Sequence, residues 1–249
     1  MWRGTRPLKR WRYVGVFCDE VMLCVGDARV GPLRQRFWAV AEPDGRIATR
    51  TTLGAGGVHI DGSHVTVDTR DVRIDVALDE GAGVETRHAD DVWTRKQAGI
   101  PAQGEVRVGS RMYSFECRAV VDDTAGYHRR HTRWTWSAGV GTTDDGRDVG
   151  WNLVTGVNDE PTGSERAIWI DGEPFEPGPV TFADDLSRVE FAEGGALTFS
   201  EWAAREDNRN VLLLRSRYRQ PFGTFTGSFP GGLKLARGYG VVEVHDAHW

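Results

Sequence analysis

The chain has 249 residues, with 31 Lys+Arg against 36 Asp+Glu and a net charge of −5. That length suits one large domain or two small ones and is enough to bury a proper core. The near balance of charge leaves no footprint for nucleic acid or an anionic membrane, and no run of like charges forms a tail.

Three cysteines, Cys18, Cys24 and Cys117, are too few and too scattered for a disulfide framework or a zinc site, and an odd count fits a reducing compartment. The N-terminus is charged but lacks the apolar run of a signal peptide. No stretch reaches the apolar length that spans a bilayer. These features predict a soluble, cytoplasmic protein. The chain also holds 31 glycines, many of them between short β-type runs, and 10 tryptophans, a composition that leans towards a large antiparallel β protein.

In chain order, Arg12–Cys18, Val21–Val30 and Gln35–Ala41 are apolar runs. Pro43-Asp44-Gly45 then marks a turn, because proline presets φ and glycine accepts the left-handed position. Arg46–Thr52 is the return strand, and Gly54–Gly57 reads as a flexible joint. Val58–Ile60 and His64–Asp68 form a hairpin across Asp61-Gly62. Val72, Ile74, Val76 and Leu78 alternate with polar or small residues, as in a half-buried strand. Gly83–His88, Gly104–Val108 and Arg111–Val121 follow as strands, and the polar Asp122–Gly126 predicts a boundary between halves 1–124 and 125–249.

The second half reads in the same way. Strands are expected at Val149–Val157, Arg166–Ile170, Val189–Ala192, Ala196–Trp202, Val211–Tyr218, Gly223–Phe229, Leu233–Ala236 and Gly240–His245. Roughly 15 to 18 short strands with frequent turns are the signature of sandwiches or barrels. Helix is nearly absent; short helices are predicted only at Ala89–Gln97 and Trp202–Asn208. No short-period repeat is visible.

The stretch Tyr127–Trp136 gathers two histidines, three arginines and two tryptophans. If extended, it places His128, Arg130, Thr132, Trp134 and Trp136 on one face and Arg129, His131, Arg133 and Thr135 on the other. Two indoles beside an imidazole and a guanidinium make a polar end in an apolar ligand cavity; the alternative is a plain aromatic core stripe. On the last strand Val241, Glu243 and His245 share one face and Val242, Val244 and Asp246 the other, so Glu243 and His245 can form an acid–base pair, or else face water while Val242 and Val244 face the core. Trp151-Asn152 and Arg219 lie on other strands of this half.

No phosphate loop, dinucleotide fingerprint or nucleophile elbow is present, and no cofactor is expected. No metal site is expected either. His128 and His131, like His245 and His248, are three apart, and on a strand that spacing points the two rings to opposite faces.

Several blocks resemble a bacterial family, domain of unknown function 2804. They are Leu8–Val16, Gly31–Gln35, His128–Trp134, Trp151–Val154, Tyr218–Gly223 and the ending Gly240–Trp249. More remotely, the ending and the all-β layout are similar to the calycin superfamily, which includes lipocalins, carotenoid hydratases and tocopherol cyclase. The resemblance implies an all-β fold of two lipocalin-like antiparallel β-barrel halves packed together, with very little helix and an apolar cavity. The family carries no settled activity, and a fold does not fix a function.

The expected function is binding of a small hydrophobic or amphipathic molecule, with or without cofactor-free acid–base chemistry of hydratase, cyclase or isomerase type. Trp134, Trp136 and Trp151 would form the walls, with Asn152, Arg130 and Arg219 as further ligand contacts. His128, or His131 if a bulge turns it inward, would move a proton, with Glu243 orienting it and His245 beside it. One alternative is a non-catalytic carrier or sensor with the same cavity. Another is a carbohydrate-binding or carbohydrate-processing β-sandwich, since indoles stack on sugars and paired carboxylates hydrolyse glycosides. The substrate and the oligomeric state are not encoded in any of these features.

Overall fold

The computed structural model describes residues 2–54, 56–211 and 214–248. Ala55 of the expected joint, Leu212 and Leu213 of the expected Val211–Tyr218 strand, and Trp249 at the end of the family-like blocks lie outside the described residues.

A short pair, β1 (Trp2–Arg3) and β2 (Arg6–Pro7), precedes two large sheets. The first contains β3 (Lys9–Phe17), β4 (Met22–Val30), β5 (Leu33–Ala41), β6 (Ile47–Leu53), β7 (Val58–Asp61), β8 (His64–Asp68), β9 (Val72–Leu78), β10 (Val84–His88), β11 (Val92–Val108) and β12 (Arg111–Gly126). The second contains β13 (His131–Thr143), β14 (Asp148–Thr155), β15 (Ala167–Ile170), β16 (Glu173–Phe175), β17 (Val180–Phe182), β18 (Arg188–Phe191), β19 (Ala196–Val211), β20 (Leu214–Ser228) and β21 (Lys234–His248).

The first sheet runs β6-β5-β4-β3-β12-β11-β9-β8-β7, with β10 added beside β11, and the second runs β16-β15-β14-β13-β21-β20-β19-β18-β17. The two orders follow one rule. Four strands meander outward, the chain jumps to the far edge, and five meander back until the last pairs antiparallel with the first, β12 with β3 and β21 with β13. Each half is thus an up-and-down sheet curled into an opened barrel, the lipocalin-like arrangement. The repeat is one of topology, which is why no sequence period reveals it.

Alternation assigns each strand's two faces to two different cores. Val14, Val16, Leu23, Val25, Trp38 and Val40 fill the first barrel. Their neighbours Tyr13, Phe17, Met22, Cys24 and Ala39 point outward and meet Trp136, Ala138, Val140, Phe222 and Val241 of the second half. Trp151, Leu153, Phe225, Phe229 and Val242 fill the second barrel. Both barrels are therefore plugged by their own side chains, and the halves join face to face through their outer surfaces. A Cβ on Gly150 would come within 2.8 Å of the Gly99 nitrogen, so the crossing of β11 over β14 requires glycine there.

Both expected helices are strands. Ala89–Gln97 holds a single 3-10 turn and then enters β11, and Trp202–Asn208 lies within β19. The helix-forming run of alanine, arginine and glutamate at 203–206 is overridden by pairing with β20, past a bulge between Glu201 and Ala203. The cysteine expectation is also corrected. Cys18 and Cys117 form a disulfide with Cα atoms 5.7 Å apart, because β3 and β12 bring the β3–β4 turn beside Cys117. Cys24 is buried and free. That pairing removes the cysteine count as an argument for a reducing compartment. Among the described residues no helix is long and apolar enough to cross a membrane.

Candidate functional site

At one end the outer faces of the two sheets separate and leave a cavity of about 450 Å³ between the halves. The cavity thus lies at the seam, while the barrel interiors are filled. Trp11, Tyr13 and Phe37 come from the first half; Trp134, Trp136 and Tyr218 come from the second. Tyr13 meets Trp136 edge to face at 5.4 Å, which closes the aromatic floor.

Register builds the second wall. Trp134, His245, Tyr218 and Asp207 sit directly opposite one another on β13, β21, β20 and β19. Directly opposed residues in antiparallel strands share a face, so one row carries an indole, an imidazole, a phenol and a carboxylate into the cavity. The next row places Glu243 opposite Trp136. Glu243 Oε1 accepts a 2.9 Å bond from Trp134 Nε1, and its Oε2 accepts from Tyr218 Oη at 2.7 Å and from Gln220 Nε2 at 2.9 Å. Burial raises the Glu243 pKa above its ordinary value, outweighing the Tyr218 and Trp134 bonds and the nearby Arg205, which pull it down.

His245 packs against the Trp134 ring at 4.4 Å and the Tyr218 ring at 5.1 Å, and its Nε2 is 2.9 Å from Ser216 Oγ. Burial, reinforced by Arg205, lowers its pKa to about 4, so the ring is neutral at pH 7. His128 is buried at the cavity edge, 5.2 Å from the Trp11 ring, and its carbonyl accepts from Lys9 Nζ at 3.3 Å. Burial, with Arg6 nearby, lowers the Lys9 pKa to about 7.

A second polar cluster ties the halves together under the cavity. Lys96 Nζ pairs with Asp122 and lies 3.5 Å from Glu165 Oε2, which reaches in from the β14–β15 loop. Trp11 Nε1 donates to Asp122 Oδ2 at 3.1 Å. Burial works against the Lys96 charge, but Asp122 and Glu165 overcome it and raise the Lys96 pKa. Burial raises that of Glu165 despite Lys96.

The structure brings Trp134, Trp136, His128, Glu243 and His245 to the cavity. Other expected residues lie elsewhere. Trp151 is fully buried in the second barrel, because both faces of β14 are covered. Asn152 points to the seam and supports the site from behind: its Oδ1 accepts from Trp136 Nε1 at 2.8 Å, and its Nδ2 donates to the Glu165 carbonyl. Arg130 is exposed ahead of β13. Arg219 points away and pairs with Glu201 and Glu206. His131 is exposed on the opposite face, stacked on His248 at 3.9 Å and bonded to Asp246 at 2.8 Å.

That last group corrects the spacing argument about metal ligands. Histidines from different strands converge, and His131, Asp246 and His248 place donor atoms within 4.8 Å of one another. Cross-strand register puts Arg133, Arg217 and Arg215 beside this trio. A lone carboxylate already surrounded by cations is a poor seat for a further cation.

Sequence reasoning missed Trp11, Tyr13, Phe37, Arg205 and Tyr218. Tyr13 and Phe37 alternate with barrel-filling Val14 and Trp38, so their strands carry apolar residues on both faces. The Arg217–Tyr218 alternation was the available signal on β20, with Tyr218 inward.

Two opened meandering barrels joined through their outer faces, with a ligand-sized aromatic cavity at the seam, define a two-half protein of calycin-like fold. Three solved structures share it. The AttH-type protein of Nitrosomonas europaea matches at 11% identity over 98% of this chain and 93% of that one, with a TM-score of 0.63. Kievitone hydratase from Nectria haematococca matches at 12% identity over 94% and 88%, with a TM-score of 0.58. CghA, in a structure with Sch210972, matches at 11% identity over 98% and 88%, also with a TM-score of 0.58. At such identities the likeness establishes the fold. No curated protein matches the sequence. The chain belongs to the family described as domain of unknown function (DUF2804), whose model matches residues 57–249, from just before β7 to the end.

Proposed function

We propose that the protein binds a small hydrophobic or amphipathic molecule in the seam cavity and carries out cofactor-free acid–base chemistry on it, of hydratase, cyclase or isomerase type. The observation that carries this proposal is Glu243, a carboxyl whose pKa burial raises, at the wall of an aromatic cavity. Such a carboxyl keeps its proton to higher pH and can deliver it to a double bond or carbonyl held against the rings. In a hydration the Glu243 proton adds to one carbon of the double bond and water adds to the other. Neutral His245 takes the proton that the water sheds and returns it to solvent, and Glu243 is reprotonated. Two of the structures of the same fold support the reading by analogy: one is a hydratase by name, and the other was solved with Sch210972.

A panel of polyenes, terpenoids and fatty acids tests the proposal. Binding is expected to quench tryptophan fluorescence, since Trp11, Trp134 and Trp136 line the cavity. No quenching by any member would sink it. Turnover should then be lost in Glu243→Gln while binding persists.

The carrier alternative has one feature in its favour: three donors already hold both Glu243 oxygens, as expected of a fixed orienting group. A ligand recovered unchanged from the wild type, and bound equally by Glu243→Gln, would select it. The carbohydrate alternative finds no such feature. Asp122, Glu165 and Asp207, the other lining acids, each sit beside Lys96 or Arg205 rather than forming a free carboxylate pair.

A further inference from the structure

One charged group in the cavity is unused by this chemistry. Arg205, from β19, is 2% exposed and lines the cavity. Its guanidinium lies between two rings, 4.2 Å from the centroid of Phe37 and 4.5 Å from that of Tyr218. Its Nη2 donates to Thr51 Oγ1 at 3.1 Å and lies 3.9 Å from Asp207 Oδ2. Its Nε and Nη1 are buried and have no hydrogen-bond partner among the described residues. A guanidinium stays charged at any physiological pH, and leaving its donors open in an apolar setting is costly. The two rings, Thr51 and Asp207 offset part of that cost, and an anion meeting the open donors would offset more of it.

The charge around it agrees. Seven lysines and arginines but four aspartates and glutamates line the cavity, whereas the whole chain carries a net −5. Lys96 is matched by Asp122 and Glu165, and Arg12 by Glu80 and Asp123, so part of this positive excess is already neutralised. The aromatic clamp fixes the plane of the guanidinium, so an acceptor meets a pre-oriented donor set.

We propose that the molecule bound in the cavity carries a carboxylate, or an equally acidic oxygen, that docks on Arg205 while its apolar body lies along the aromatic walls. This rests on the cavity being the ligand site, and it narrows the ligand class from hydrophobic to amphipathic and anionic.

cis-Parinaric acid and its methyl ester share an apolar body and differ in charge, so titrating both by fluorescence isolates the Arg205 contribution. The wild type is expected to bind the acid at least about tenfold more tightly than the ester, as for a charge-assisted bond in a dry site. Arg205→Met keeps the length and the contact with the two rings; it should lose the preference while ester binding stays within about twofold. Equal binding of acid and ester by the wild type overturns the proposal, as does a preference that survives in Arg205→Met. If that variant fails to fold, the wild-type comparison still decides. If neither probe binds, the proposal for Arg205 is overturned, and the cavity reading falls with it only when the whole panel also fails to quench; if the ester alone binds, the cavity stands and the role of Arg205 is refuted.

Discussion

Tyr218 Oη donates a 2.7 Å hydrogen bond to Glu243 Oε2, and the two residues reach each other from adjacent strands 25 positions apart. Trp134 and Gln220 complete the set, so both carboxyl oxygens are held in fixed directions at the cavity wall. Such a set fixes the direction of the carboxyl, whether it delivers a proton or only orients a ligand.

Replacing Glu243 separates chemistry from architecture. Glu243→Gln keeps the shape and should bind ligand with little change in stability but no turnover. Glu243→Ala strands the Trp134, Tyr218 and Gln220 donors in a buried setting and should cost about 2–4 kcal/mol more in urea unfolding. Equal stabilities for the two variants would show that the donors find other partners.

The tryptophans should divide by place rather than by type. Trp134→Phe removes the bond to Glu243 Oε1 and should reduce the ligand-induced quench. Trp151→Ala empties the second barrel and should destabilise by about 3–5 kcal/mol while leaving ligand affinity in the surviving folded protein unchanged. A loss of affinity in a folded Trp151→Ala protein would contradict the placement of the cavity at the seam.

Two buried groups should tilt stability in opposite directions with pH. His245 has a folded pKa of about 4, below its ordinary 6.5, so the unfolded chain binds more protons between those values. Its contribution is present above pH 6.5 and is lost as pH falls towards 4, by up to about 3 kcal/mol. Glu243 has a folded pKa above its ordinary 4.5, so the folded chain binds more protons there. Its contribution is present below pH 4.5 and is lost as pH rises through the folded value. Melting curves of His245→Gln should be flatter between pH 4 and 6.5, and those of Glu243→Gln flatter on the rising side of 4.5. Unchanged profiles would mean that these groups titrate normally.

Alkylation of the denatured protein should label one thiol before reduction, Cys24, and three after it. The Cys18–Cys117 bridge closes a loop with a sequence separation of 99, so its reduction should lower stability by up to about 4 kcal/mol. Three labels without reductant would show that the pair is open in the cell of origin.

In the second half the pattern told which residues share a face, but left open whether that face meets a cavity, the core or solvent. The alternation of Trp134 and Trp136, and that of Glu243 and His245, placed these residues together because period two is a rule of the backbone. On β14 both faces are buried: the same rule puts Trp151 and Asn152 on opposite faces, as found, but does not tell which face fills the barrel and which meets the seam. The Cys18–Cys117 bridge and the His131–Asp246–His248 cluster were hidden for another reason. Each depends on which strands pair across the sheet, a long-range choice that local spacing does not carry. Arg205 sat in a run whose composition favours helix, so its inward direction came only from the β19–β20 ladder.

Because each barrel is plugged by its own side chains and the cavity lies on the outer faces between them, the residues that line the cavity and those that fill the barrels come from opposite faces of the same strands. Tyr13 alternates with Val14, and Glu243 with Val242. If the cavity is the ligand site, a change of ligand among related chains would be written in the seam residues and not in the barrel interiors.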